Sequence, residues 1–180
     1  SVPITYTLGA DPDSGLDTAS GKIQRASATL SGGACGSFGS FTDLVTEYDG
    51  SYTDTSVVSG NCYKYQYVIS DNVGNIATYV SSNVAKVDTD APTTSDDAST
   101  AWRSSDATVT LSPSDTGGSG VAHTYYCIYN SGDAACTPNT EGTSVSVTCS
   151  ADTACQKIIR YYSTDNAGNS ETAHNSVIVK

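Results

Sequence analysis

Apolar and polar residues alternate in short runs along this chain, and no stretch sustains the 3.6-residue spacing of a helix. The clearest runs, 63–70 and 157–164, are rich in tyrosine. Each leads into the same polar corner, Asp71-Asn72-Val73-Gly74-Asn75 and Asp165-Asn166-Ala167-Gly168-Asn169, with Asp71 and Asp165 94 residues apart. That period is too long for a solenoid repeat and suits a small β-sandwich domain. The pattern therefore predicts an all-β chain made of two copies of one domain in series.

Within the first copy, strands are expected at 4–8, 22–30, 38–45, 51–58, 62–70 and 76–87, separated by an acidic loop at 11–17 and turns at 31–36, 47–50 and 59–61. The second copy repeats the plan with strands at 108–111, 121–129, 144–149, 156–163 and 176–179. Its breaks are a loop at 114–120, an excursion between Cys127 and Cys136, and a corner at 150–154. About seven short strands per copy, with turns every 8–12 residues, is the sandwich signature. The expected domains are 1–87 and 93–180, joined by a connector at 88–92. Pro92 ends a strand and stiffens the exit, so the connector should allow the domains little freedom in an end-to-end arrangement.

Three motifs carry a resemblance. They are the connector Val87-Asp88-Thr89-Asp90-Ala91-Pro92, the pentapeptide after each tyrosine strand, and Ser-Gly before Leu16 and Val121. Together they resemble the Ig-like repeats of large bacterial and archaeal surface proteins and adhesins. The strand through Tyr65 and Tyr67 is also similar to the sixth strand of fibronectin type III modules. The resemblance implies tandem Ig-like antiparallel β-sandwiches acting as a structural or adhesive segment of an extracellular surface protein or filament. The second copy has residues 93–106 ahead of its strand at 108–111, whereas the first has only 1–3 ahead of its strand at 4–8. The first copy's opening strand is therefore expected to be missing. Either the piece is cut from a longer chain, or a neighbouring subunit supplies the strand, as in donor-strand fibres.

Charge narrows the partners. Nineteen acids against eight bases give a net charge of −11, which opposes nucleic acid and anionic membrane. No run of 18 apolar residues exists to enter a bilayer. The expected partners are neighbouring domains of the same chain, copies of itself, or cell-surface glycans and proteins. Starting at Ser1 and lacking Met, the chain reads as a processed piece of an exported protein. Serine and threonine exceed a quarter of the residues and offer sites for O-linked sugars, while no Asn-x-Ser/Thr sequon is present.

Six cysteines without a Cys-x-x-Cys pair point to disulfides in an oxidising, extracellular setting rather than to zinc. If the domains do not cross-link, the first has one pairing and the second three. Cys35 follows a turn and Cys62 opens the tyrosine strand; Cys127 and Cys136 flank an excursion; Cys149 and Cys155 flank a corner. These placements favour Cys35–Cys62, Cys127–Cys136 and Cys149–Cys155, with Cys127–Cys155 as the rival in the second domain.

The pentapeptides have a sufficient reading as tight turns, with glycine supplying positive φ and Asp and Asn capping their own backbone. The resemblance adds calcium. In an Ig-like sandwich, the second-domain loops and the incoming connector share one pole, which would gather Asp88, Asp90, Asp115, Asp165 and Asn166. Carboxylates meeting without Lys or Arg repel one another unless a cation sits among them, and hard oxygen ligands select Ca²⁺. Asp11, Asp13, Asp17 and Asp71 form the corresponding set in the first domain, without its connector.

Catalysis finds no basis here: His123 and His174 stand alone, and no serine has a nucleophile-elbow context. Trp102, the only tryptophan, is expected to pack a strand edge. Tyr65 and Tyr67 should share a core face with their hydroxyls reaching the rim. A carbohydrate- or ligand-binding module is the alternative function, which a row of exposed aromatics would favour.

Overall fold

In a computed structural model of the chain, residues 1–149, 155–177 and 179 are described. The expected corner at 150–154 lies outside them, as do positions 178 and 180. The described residues are all-β, with antiparallel pairing throughout and no helix. They fall into two compact units, Ser1–Asp88 and Thr89–Lys180.

The first unit contains β1 (Val2–Thr5), β2 (Leu16–Ser31), β3 (Ala34–Cys35), β4 (Thr42–Thr46), β5 (Ser51–Asp54), β6 (Asn61–Asp71), β7 (Ile76–Val80) and β8 (Ala85–Val87). One sheet is the pair β1–β5; the other runs β3-β2-β6-β7, with β4 also on β2 and β8 also on β6. In β6 the side chains of Tyr63, Tyr65, Tyr67 and Ile69 are buried while Lys64, Gln66, Val68 and Ser70 between and after them are less so, as a strand with one core face requires. They pack with Ile23 of β2 and with Val2, Ile4 and Tyr52 of the smaller sheet, so the core lies between two sheets in the manner of a sandwich. Ala28, Leu30 and Cys62 extend that core toward Cys35 and Phe38.

The second unit contains β9 (Thr93–Asp96), β10 (Ala107–Ser114), β11 (Val121–Asn130), β12 (Thr140–Glu141), β13 (Ser144–Val147), β14 (Lys157–Asp165) and β15 (His174–Asn175). Its sheets are β13-β10-β9 and β12-β11-β14-β15. Val109, Leu111 and Val145 of the first meet Ile159 and Tyr161 of the second in one buried cluster. The cystines are Cys35–Cys62, Cys127–Cys136 and Cys149–Cys155.

The units repeat each other in register. Leu16 faces Asp71 as Val121 faces Asp165, and Ile4 faces Tyr52 as Val109 faces Val145. A shared serine device also recurs. Ser81 donates its amide to Tyr65 O and accepts the Tyr65 amide on its hydroxyl. Ser176 treats Ile159 the same way. This substitution of a side chain for a ladder partner interrupts the expected strand at 76–87, which divides into β7 and β8 around Ser81, Ser82 and Asn83.

Other boundaries also differ from the alternation. β2 begins at Leu16, well before position 22, because its pairing with β6 survives a register shift between Asp17 and Lys22. The run expected from 38 does not pair until Thr42. Within 93–106, whose counterpart is the opening strand missing from the first copy, β9 pairs with β10. Trp102 lies outside the strands and is 65% exposed. The Tyr65 hydroxyl does not reach the rim: it donates to Asp54, a carboxylate with no exposed surface.

Candidate metal and corner site

The two pentapeptides fold alike, bond by bond. Asp71 Oδ1 accepts the amides of Val73 and Asn75, and its Oδ2 accepts Asn75 Nδ2. Asp165 Oδ1 accepts Ala167 and Asn169, and its Oδ2 accepts Asn169 Nδ2. Gly74 and Gly168, at φ 94° and 92°, turn the chain where an L side chain would be strained. In each corner the second residue reaches across to the loop before the neighbouring strand. Asn72 donates its amide to Gly15 O and its Nδ2 to Ser14 O. Asn166 donates its amide to Gly120 O and its Nδ2 to Ser119 O and Gly120 O. The corner thus fastens two loops without relying on apolar contact, which is how a polar motif holds one end of a β unit together.

The second unit adds acidity to this corner. Asp165 is 3% exposed, and one of its carboxylate oxygens lies within 4.8 Å of one from Asp115. Asp115 Oδ2 accepts the amide of Gly120 at 2.6 Å. Gly118 is the reason the carboxylate fits: a Cβ at that position would collide with both Asp115 oxygens. Among the described residues neither Asp115 nor Asp165 makes an ion pair with Lys or Arg. Two neighbouring carboxylates supported by amides are a hard-oxygen donor set of the kind divalent cations use. Asn166 donates its side-chain nitrogen to the Ser119 and Gly120 carbonyls, which ties the residue after Asp165 to the loop that carries Asp115. Of the connector residues, Asp88 is half-buried and Asp90 exposed.

In the first unit, Asp71 has the same corner, and the position held by Asp115 is taken by Ala10. Asp11 turns its carboxylate to Ser14 and to the amides of Asp13 and Ser14. The hydrogen bond from Asn75 and the backbone amides hold the Asp71 carboxyl below the usual range. Asp17 accepts the amide of Ala19.

One polar centre escaped the reading of the sequence. Asp54 is fully buried in the first unit, where it meets Arg25 Nη1 at 2.7 Å, the Tyr65 hydroxyl at 2.9 Å, and the amide and hydroxyl of Ser56. Arg25 also lies over the Tyr63 ring, 5.0 Å from its centroid. Asp54 ends the short strand β5, where the alternation places it inward; its inward phase with Tyr52 was the available signal. His123 and His174 pair with Glu141 and Glu171 at 2.7 and 3.3 Å, and both imidazoles are about half exposed.

Compared with known proteins, the chain matches no protein-family model and no curated protein sequence.

Proposed function

We propose that the chain is a structural or adhesive segment of an extracellular surface protein or filament, built from tandem Ig-like β-sandwich domains. The repeated corner carries this reading. One polar device, reproduced bond for bond in both units, closes two all-β domains, as expected of modules copied to make length. Three cystines fit an oxidising exterior. Negative-stain microscopy of the native material tests the proposal: fibres of constant width support a filament, and rods a segment. Compact particles bearing neither form would overturn it.

Calcium belongs to the same reading. Asp115 and Asp165 supply oxygens in the second unit, and the connector carboxylates Asp88 and Asp90 are the further ligands suggested by the sequence. A divalent ion would offset the repulsion between these carboxylates and make their loops more rigid. Binding only the folded state, it would raise stability by about 2.7 kcal/mol at a hundredfold excess over Kd. The test compares the thermal midpoint with calcium and with chelator. Equal midpoints, with Asp165→Ala responding like the parent, would leave the corner as a turn alone.

A further inference from the structure

We infer that the first unit has an open seat for an extended peptide strand, running antiparallel along residues 6–9 and contributed from outside residues 1–180. The second unit shows the seat filled. There β10 continues past Leu111 because β9 pairs with it: Leu111 faces Asp96, Pro113 faces Thr94 and Ser114 faces Thr93. Tyr6 corresponds to Leu111, since its amide bonds Gly50 O as that of Leu111 bonds Thr143 O. Yet β1 ends at Thr5, and residues 6–9 are in no strand. The pairing stops where the counterpart of β9 would begin.

The side chains around this edge show the same vacancy. Tyr6, Tyr67, Ile69, Ala77 and Tyr79 line two adjoining apolar hollows, which share Tyr67 and Tyr79. Tyr79 has the inward phase of Ala77 on β7 but is 62% exposed, and Leu8 is 38% exposed. The Tyr6 hydroxyl is buried without a hydrogen-bond partner among the described residues. Among the described residues no strand pairs with residues 6–9 on this edge.

The two units also specify what the strand should look like. In the second, Thr94 donates its amide and hydroxyl to Glu171 and shares a hydrogen bond with Ser163 Oγ, while Asp96 accepts from the Tyr161 hydroxyl. Ser163 pairs with Glu171 through its backbone as Ile69 pairs with Ala77. The first unit therefore offers Ile69 and Ala77 where the second offers Ser163 and Glu171. Its guest should be apolar at the place of Thr94. At the place of Asp96 it should keep an acceptor for the Tyr6 hydroxyl, since the Tyr67 hydroxyl already donates to Glu47 O. Backbone pairing provides affinity and the alternate side chains provide selectivity, as in strand addition to other sheet edges.

The test titrates the chain with two synthetic heptapeptides, one with the sequence of residues 91–97 and one carrying Thr94→Ile. Amide hydrogen exchange is read residue by residue. The isoleucine peptide should bind at least about tenfold more tightly and slow exchange at residues 6–9. In a chain with Ala77→Glu, which restores the polar partner of β9, the preference should reverse toward the threonine peptide. Three results would overturn the proposal: no protection at 6–9, protection elsewhere, or equal binding of both peptides. Protection at 6–9 that appears with protein concentration alone would assign the seat to a second copy and overturn it also.

Discussion

Arg25 Nη1 lies 2.7 Å from Asp54 Oδ2, and the carboxylate it meets has no exposed surface at all. Removing one partner of such a pair strands the other in a low-dielectric core. Asp54→Ala should therefore destabilise the first unit by about 3–5 kcal/mol, measured by urea unfolding. Tyr65→Phe removes one hydrogen bond to the same carboxylate and should cost about 1.5–3 kcal/mol. A double-mutant cycle with Arg25→Ala should show coupling between Arg25 and Asp54, whereas independent losses would show that the pair contributes no specific interaction.

The same centre sets a response to acid. Burial alone would raise the Asp54 carboxyl, but hydrogen bonds from Ser56, Arg25 and Tyr65 outweigh it and hold it below its ordinary value. A lowered folded-state value contributes stability that is present above the unfolded pKa, about 3.9. It is lost as pH falls through the folded value. Midpoints measured from pH 6 downward should fall below about pH 4, and Asp54→Asn should flatten that decline.

Alkali acts through the buried tyrosines. Burial pushes Tyr67 up to about 12, with nearby Tyr6 and Tyr48 adding to the shift, and burial also raises Tyr65 and Tyr161. Raised values mean stability that is complete below the unfolded pKa, about 10, and is lost as pH rises toward the folded value. Unfolding followed by tyrosinate absorbance should begin above about pH 10. Tyr67→Phe should make the first unit less sensitive there.

Glu171 is the fastening of β9. Its carboxylate accepts from Thr94 and from the Ser163 amide, and its side chain is 5% exposed. Glu171→Ala should speed amide exchange across β9 and cost roughly 1–3 kcal/mol. In contrast, His123→Ala removes an exposed pair, and His174→Ala removes a half-exposed imidazole whose partner Glu171 keeps its bonds from Thr94 and Ser163, so each should change stability by less than about 1 kcal/mol. A large loss from either histidine would mean that it serves more than a surface pair.

The corners provide a matched comparison. Asp71→Ala and Asp165→Ala each remove two amide acceptors and a side-chain bond, and each should cost about 1–3 kcal/mol. Without calcium the two losses should be similar, because the corners are bonded alike. With calcium the Asp165 loss should be the larger if the second corner holds the ion.

Alternation identified β6 and β14 in the sequence because their buried residues keep a period of two from Tyr63 to Ile69 and from Ile159 to Asp165. It failed at β7 and β8 because Ser81 joins the ladder through its hydroxyl, a role that hydropathy does not reveal. The opening strand implied within 93–106 could not be bounded for a related reason: Thr93-Thr94-Ser95-Asp96, which forms β9, has no apolar residue and is retained by polar contacts with Glu171 and Ser163. Turn chemistry made the corners legible from Asp, Asn and Gly alone. Of Asp54 only the inward phase was legible, since nothing local to β5 shows that Arg25 and Tyr65 will reach it from 29 and 11 residues away.

Cys35–Cys62 closes a span of 27 residues. If the first unit is pulled from its two ends, the force must pass through this cystine, and the enclosed span bears no load. Its hidden length is roughly 85–90 Å at full chain extension. The bond thereby works as a tether stop: even after the strands part, the unit lengthens only by what lies outside the loop. A reductant would release the stored length in a single added step, converting a thiol reaction into a change of reach.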